Sequence, residues 1–232
     1  MQLPFFYEQH ITQGNFTLSE ETSKHCIQVL RMQAGEQLQL TNGAGNLYTA
    51  TIISANKKAS IVQVGQPVFT QPSTQKITIA ISLLKTAARF EWFLEKATEI
   101  GVSAIVPLNC KRTEKHHFRF DRMQNILISA MLQSRQTHLP VLQNVTNFDS
   151  LISSAQQTKK LIAHCTDDKK NDITTIKKEA ETLMLIGPEG DFTNEEIELA
   201  LQNNFVPVSL GQTRLRTETA GIVAATLLVN NQ

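Results

Sequence analysis

Leu183-Met184-Leu185-Ile186-Gly187-Pro188-Glu189-Gly190-Asp191-Phe192-Thr193-Asn194-Glu195-Glu196 is the stretch from which the fold is read. The unbroken apolar run at its start suits a strand buried on both faces. Gly-Pro-Glu-Gly then interrupts it, and Thr193 with Glu196 has the spacing of a helix capping box. Strand, glycine-rich loop and helix in this order belong to an α/β sheet, whose ligands bind beyond the carboxyl ends of the strands. The loop is neither a P-loop nor GxGxxG, since no Gly-Lys-Ser/Thr follows. Glu195, Glu196 and Glu198 make the helix acidic, which disfavours a phosphate and suits a ligand of little negative charge. An ordinary left-handed turn is the competing reading at this point.

Working outward, the same rhythm recurs. Ile77–Leu84 reads as a buried strand, Phe90, Phe93, Leu94, Ala97 and Ile100 as the apolar stripe of a helix closed by Gly101, and Val102–Leu108 as the next strand. Met123, Ile126, Leu127, Ala130 and Met131 mark another helix, and Leu161-Ile162-Ala163 another strand that ends in a loop. Near the carboxyl terminus, Ser209-Leu210-Gly211-Gln212-Thr213-Arg214-Leu215-Arg216-Thr217-Glu218-Thr219-Ala220 runs into a helix that is apolar almost all round, through Val229. Such a helix either fills a core or packs on another subunit. Arg216 and Glu218 at its start form either a mutual salt bridge or an active-site pair.

Residues 1–72 differ. Glu36–Leu40, Tyr48–Ile53 and Ala59–Val64 are short alternating strands, with Asn42-Gly43-Ala44-Gly45-Asn46 as a turn. Thr17-Leu18-Ser19-Glu20 fits a capping box for one helix with Cys26, Val29 and Leu30 on its apolar face. Strands without helical crossovers suggest a small barrel. Gln71-Pro72-Ser73-Thr74 marks the boundary, giving domains 1–72 and 73–232.

Composition sets limits. With 41% apolar and 19% charged residues, 232 residues suffice for a buried core, and a disordered chain is excluded. Cys26, Cys110 and Cys165 form no CxxC pair, so neither a zinc site nor a disulfide framework is supported. No basic segment followed by an apolar stretch opens the chain, and no apolar run approaches the roughly 18 residues of a membrane span. A soluble, cytoplasmic protein without a membrane partner is expected. The net charge of +1 hides an asymmetry. Residues 73–145 carry ten basic and five acidic side chains, whereas 146–232 carry eight and twelve. The basic sector, which includes Lys115, His116 and His117, points to a polyanionic partner or to a solvated basic face.

Several motifs together carry a resemblance. Lys85-x3-Arg89-x-Glu91-Trp92-x3-Lys96-Ala97-Thr98-Glu99-Ile100-Gly101-Val102, the Ile186–Gly190 loop and Leu215-Arg216-Thr217-Glu218-Thr219-Ala220 closely resemble the bacterial 16S ribosomal RNA uridine-N3 methyltransferase family of the SPOUT superfamily. Ala130-x2-Gln133-Ser134-x4-Leu139-Pro140 and His25-x3-Val29-Leu30-Arg31-x3-Gly35-Glu36 are similar to the same family, so the likeness spans nearly the whole chain. It implies an N-terminal PUA-like β-barrel for RNA, then an α/β domain with a knotted parallel sheet, its trefoil knot near the carboxyl terminus. S-adenosylmethionine is implied as methyl donor, with 16S rRNA within the small ribosomal subunit as substrate. A homodimer built largely through the carboxyl-terminal helices is implied too.

Carried over position by position, the donor site implied comprises His164, Ile186, Gly187, Glu189, Gly190, Leu210, Gly211, Leu215 and Arg216, with Cys165 in the same loop as His164. One departure matters: where the family often has Pro-Arg-Ile, this chain has Gln212-Thr213-Arg214, so the basic residue has moved one place.

The implied reaction moves a methyl group to N3 of a uridine, whose proton must leave. Arg216 is expected to stabilise the developing anion, and Glu218 to orient Arg216 or to accept the proton. RNA contacts are expected from Arg31, Lys85, Arg89, Lys111, Arg112, Gln133, Ser134 and Arg135. Trp92 could stack on a base, with Phe90 and Phe93 in the core. Competing classes are a SPOUT methyltransferase acting on a different nucleotide and an RNA-binding module without catalysis. A hydrolase is disfavoured, because His116-His117 has no further ligand at metal spacing and no GxSxG occurs.

Overall fold

The computed structural model describes residues 2–114, 117–166, 169–177 and 179–230; Lys115 and His116 of the basic sector lie outside them. The chain divides into two compact units, Met1–Pro72 with Met131–Leu139, and Ser73–Ala130 with Pro140–Gln232. Residues 131–139, assigned from the sequence to the second domain, thus cluster with the first unit.

In the first unit, β1 (Phe5–Tyr7), β2 (Gly14–Thr17), β3 (Gln37–Thr41), β4 (Asn46–Ser54) and β5 (Ile61–Phe69) form a five-stranded sheet in the order β1-β3-β4-β5-β2. The β1–β3 pair is parallel and the rest are antiparallel. Its alternating sequence does what period-two patterning requires: Leu38, Leu40, Ala50, Ile52, Val62 and Val64 all turn inward. The ladder is not closed among the described residues, since β1 and β2 each have only one partner.

The helix of this unit differs from expectation. α1 (Glu20–Lys24) is capped by Ser19, whose Oγ accepts from the Thr22 N–H. Thr17 cannot cap it because Thr17 is extended in β2, opposite Ile61. α1 continues as a π-helical turn, His25–Val29, in which the Leu30 N–H donates to the His25 carbonyl five residues back. The wider turn rotates the following side chains. Cys26 remains in the core, but Val29 and Leu30 are 65% and 43% exposed rather than facing inward.

Residues 131–139 are tied down here. Arg135, at φ 59°, donates to Gln39 Oε1 and to the Leu3 carbonyl while its guanidinium lies over the Phe5 ring. The Gly45 N–H donates to the Thr137 carbonyl, and the Leu139 N–H to that of Gly43.

The second unit is α/β. Its strands are β6 (Lys76–Ser82), β7 (Ala104–Asn109), β8 (Val141–Leu142), β9 (Thr146–Asn147), β10 (Lys159–Ala163), β11 (Asn171–Asp172), β12 (Glu181–Ile186) and β13 (Val206–Ser209). All pairings are parallel, in the order β11-β13-β10-β12-β6-β7-β8, with β9 on β7. The helices are α2 (Ala87–Ile100), α3 (Phe120–Gln133, whose last three residues belong to the first unit), α4 (Phe148–Ser154), α5 (Asn194–Gln202) and α6 (Thr217–Asn230).

Phe90 and Phe93 are buried while Trp92 on the same helix is 44% exposed. Gly101 ends α2 in left-handed backbone at φ 99°, which a side chain resists. α6 packs on α2 at very short range. A Cβ on Gly221 would come within 2.7 Å of Phe93 Cε2 and 2.9 Å of Ile81 Cδ1, so only glycine allows that approach.

Candidate donor-binding site

β13, β10 and β12 are neighbours in the sheet and parallel, so their carboxyl ends share one edge. The loops that follow them converge there and wall a cavity of about 790 Å³. This is where a parallel sheet presents free backbone groups to a ligand.

The loop after β12 is held by its surroundings. Its entry is set by Gly187, where a Cβ would meet the Phe192 ring at 3.0 Å, and Phe192 is itself buried. Asp191 adopts left-handed backbone, φ 63°, a conformation that Asp tolerates better than most residues. Its Oδ1 accepts the Phe192 N–H and its Oδ2 the Cys165 N–H, at 2.8 and 2.7 Å. One carboxylate therefore pins the loop after β12 to the loop after β10. On the outer side, Arg112 Nη1 donates to the Gly190 carbonyl at 2.7 Å and to that of Phe192 at 3.3 Å.

The start of α5 is anchored next. Thr193 and Glu196 form the capping box expected of them. Buried Glu196 also accepts the Lys111 N–H, tying the loop after β7 to α5.

The remaining walls are simpler. His164 is buried, with Nδ1 2.6 Å from Thr166 Oγ1. Cys165 beside it is exposed, yet its thiol is raised above the usual cysteine range, chiefly by partial desolvation and then by Asp191. Ser209 Oγ accepts the Gly211 N–H and donates to the Gly211 carbonyl, shaping the loop after β13. Gly211 has φ 132°.

Of the expected donor residues, His164, Ile186, Gly187, Glu189, Leu210, Gly211, Leu215 and Arg216 line the cavity. Gly190 does not; its carbonyl is turned to Arg112 instead. Arg214, the residue displaced from the family pattern, also lines the cavity. Asp191, Thr166 and Lys170 line it as well and were missed by sequence reasoning. The contact that reveals Asp191 spans 26 residues, and only its position after Gly190 hinted at a special turn.

The charged side chains around the site pair differently from expectation. Arg216 is exposed, whereas Glu218 is 7% exposed and has Arg89 as its ion-pair neighbour, Nε to Oε1 3.7 Å. A mutual Arg216–Glu218 pair is not formed among the described residues. Lys85 pairs with Glu114 at 2.7 Å while its backbone N–H donates to Glu189 Oε1. Lys111 lies 3.8 Å from Glu195.

The expected RNA-contact residues are divided between the units. Lys85, Arg89, Lys111 and Arg112 belong to the second; Arg31, Gln133, Ser134 and Arg135 belong to the first. Arg31 and Gln133 are exposed, while Ser134 donates to the Met131 carbonyl. Arg112 and Arg135 are engaged by backbone carbonyls, which makes them structural clamps in addition to any RNA contact.

The lining combines Lys170, Arg214 and Arg216 with Glu189 and Asp191. This mixture accommodates a zwitterionic small molecule, whose carboxylate and cationic groups can each find a partner. A sulfonium amino acid joined to a nucleoside fits the donor set and the size.

Comparison with known proteins points the same way. Residues 71–229 match the family described as RNA methyltransferase domain, and residues 18–65 match RNA methyltransferase PUA domain. Ribosomal RNA small subunit methyltransferase E of Bacillus subtilis is 27% identical over 224 residues, covering 90% of this chain and 87% of that protein. The enzyme of the same name from Neisseria gonorrhoeae, crystallised with S-adenosyl methionine, is 27% identical with a TM-score of 0.87, over 97% of this chain and 95% of that one. A Legionella pneumophila methyltransferase solved with bound SAM is 32% identical with a TM-score of 0.86, over 98% and 97%.

Proposed function

Because the chain belongs to the RNA methyltransferase family, we propose that it transfers the methyl group of S-adenosylmethionine to N3 of a uridine in 16S rRNA of the small ribosomal subunit. The observation that carries this reading is the convergence of the three loops on one cavity of mixed charge, in a chain similar over its whole length to SAM-bound enzymes. Backbone of Ile186–Gly187 and of Leu210–Gly211, with His164 and Leu215, would hold the donor. When bound, it supplies an electrophilic methyl group on a positively charged sulfur.

The chain's own residues then do the rest. Holding the nucleophile in line is the largest task, and the hydrogen-bonded loops provide that rigidity. Arg216, exposed and on the cavity wall, stabilises negative charge that develops on the uracil carbonyl oxygens. The first unit, with exposed Arg31 and Gln133, contributes RNA contacts, and the second unit binds the donor.

Two further features complete the proposal. Ile222, Val223, Leu227 and Val229 of α6 are only half-buried, which favours a homodimer that covers them. The trefoil knot and a cytoplasmic location follow the same family reading; no described helix is long and apolar enough to cross a membrane.

Mass-spectrometric nucleoside analysis of 16S rRNA from cells lacking the gene tests the function. Loss of 3-methyluridine, restored by the wild-type gene, is the expected outcome; unchanged 3-methyluridine rejects it. Arg216→Ala with wild-type turnover on 30S particles would sink the Arg216 assignment.

A further inference from the structure

Ten basic side chains make residues 73–145 the positive sector of the chain, yet most of them are already engaged. Lys76, Lys85, Arg89, Lys96, Lys111 and Arg122 each face a carboxylate. Arg122 is held most firmly, with Nε 2.7 Å and Nη2 2.9 Å from the two oxygens of Glu91. Arg112 and Arg135 donate to backbone carbonyls. Arg119 is different: it is exposed, and its side chain has no partner among the described residues. A paired cation must give up its partner to meet a phosphate, whereas a free one sheds only water.

The surroundings of Arg119 are aromatic. His117-Phe118-Arg119 leads into α3, whose first residue is Phe120. Phe118 is half-buried and meets buried Phe90 edge-on, with ring centroids 6.0 Å apart at 87°. Phe120 meets Phe118 edge-on in turn, at 6.4 Å. Phe120 stands three and seven residues before buried Met123 and Leu127, on the same stripe of α3. It is nevertheless 36% exposed, where the stripe runs past the edge of the core. The ring is thus braced by Phe118 and partly open to solvent, between exposed His117 and Arg119 on one side and α3 on the other. Asp121, in the first turn of α3, makes no ion pair with Arg119 among the described residues. An exposed ring alone would suit any apolar partner; beside an unspent guanidinium it suits a polyanion with flat bases.

We propose that Arg119 and Phe120 form a binding site for an unpaired stretch of RNA, the Phe120 ring stacking on a base and the Arg119 guanidinium meeting a backbone phosphate. The site rests on the reading that RNA is the substrate. It adds contacts from the second unit to those of Arg31 and Gln133 in the first. Within the second unit it places RNA binding on a cation whose charge is unspent, rather than on Lys85, Arg89, Lys111 and Arg112, whose partners hold them. In a duplex the base faces are covered by their neighbours, so only the phosphate contact survives there.

The test uses the full-length enzyme with a single-stranded, uridine-rich RNA oligonucleotide and with the duplex it forms with its complement, affinities being measured over a range of salt concentrations. Phe120→Leu is expected to lose about 5- to 150-fold in affinity for the single strand, with its salt slope and duplex binding unchanged. Phe120→Tyr, which keeps the ring, should bind as wild type does. Arg119→Gln should weaken both RNAs and lower the slope of log affinity against log salt by about one. Equal losses on both RNAs with Phe120→Leu, or none, would overturn the stacking role. An unchanged slope with Arg119→Gln would overturn the phosphate contact. If Phe120→Leu does not fold, Phe120→Met is put to the same pair of RNAs, with the same outcomes. S-adenosylmethionine affinity should stay at the wild-type level in every variant, since neither residue lines the cavity, and a parallel loss overturns the site. A wild-type enzyme that binds neither RNA overturns the RNA-substrate reading and the site with it. Wild-type binding that Phe120→Leu leaves intact overturns the site alone.

Discussion

The Cys165 N–H donates to Asp191 Oδ2 across 2.7 Å, joining two loops that belong to neighbouring strands of the sheet. Because Asp191 also accepts the Phe192 N–H, its carboxylate holds both sides of one cavity wall. The shape of the candidate donor site thus depends on a side chain whose main work is internal.

Asp191→Ala should weaken S-adenosylmethionine binding by roughly 1–3 kcal/mol, the usual effect of stripping an acceptor from partly buried donors. Asp191→Gly removes the left-handed strain but also the acceptor, so it should not rescue affinity. Calorimetry on both variants checks this, with wild-type affinity in either one contradicting the latch.

Arg112→Ala separates two readings of one arginine. If Arg112 mainly clamps the Gly190 and Phe192 carbonyls, donor affinity falls by roughly 1–2 kcal/mol and the salt dependence of RNA binding is little changed. A phosphate contact would instead lower the salt slope by about one and spare donor binding.

Gly221→Ala should destabilise the protein by roughly 1–3 kcal/mol, since its new methyl group meets Phe93 and Ile81 inside 3 Å. Thermal unfolding measures the loss. Phe93→Leu in the same chain should recover part of it, whereas a lowered melting temperature that Phe93→Leu only worsens would mean the strain lies elsewhere.

Cys165 gives a pH-dependent readout of the site. Partial burial, then Asp191, raise its thiol, so the reactive thiolate is scarcer at neutral pH than for a free cysteine. Alkylation by iodoacetamide should therefore be slow at pH 7 and accelerate only above the ordinary thiol range. Saturating S-adenosylmethionine should protect Cys165, while rapid alkylation at pH 7 would contradict its placement. Cys26, raised to about 11, should remain unmodified in the folded protein.

Much of this was legible locally. The apolar run at Leu183–Ile186, the capping box at Thr193 and Glu196 and the closing Gly101 each depend on residues within one element, where periodicity and turn chemistry operate. Where local patterns failed, a neighbour had intervened. Thr17 lost its capping role to β2, and the π turn at His25–Val29 turned Val29 and Leu30 outward.

By itself, the sequence marked the longer strands and helices and the loops after Ala163, Ile186 and Ser209, because strand, turn and helix signals act over a few residues, while the short strands such as β1, β8 and β11 carry too few residues for a pattern. Only the tertiary structure decided which side chains meet. It set Glu218 against Arg89 instead of Arg216, turned Gly190 toward Arg112, and brought Asp191 to Cys165. Those partners lie 26 to 129 positions apart in the chain. Hydrogen bonds and ion pairs act over a few ångströms, so their partners are fixed by the packing of the sheet and helices rather than by spacing along the chain.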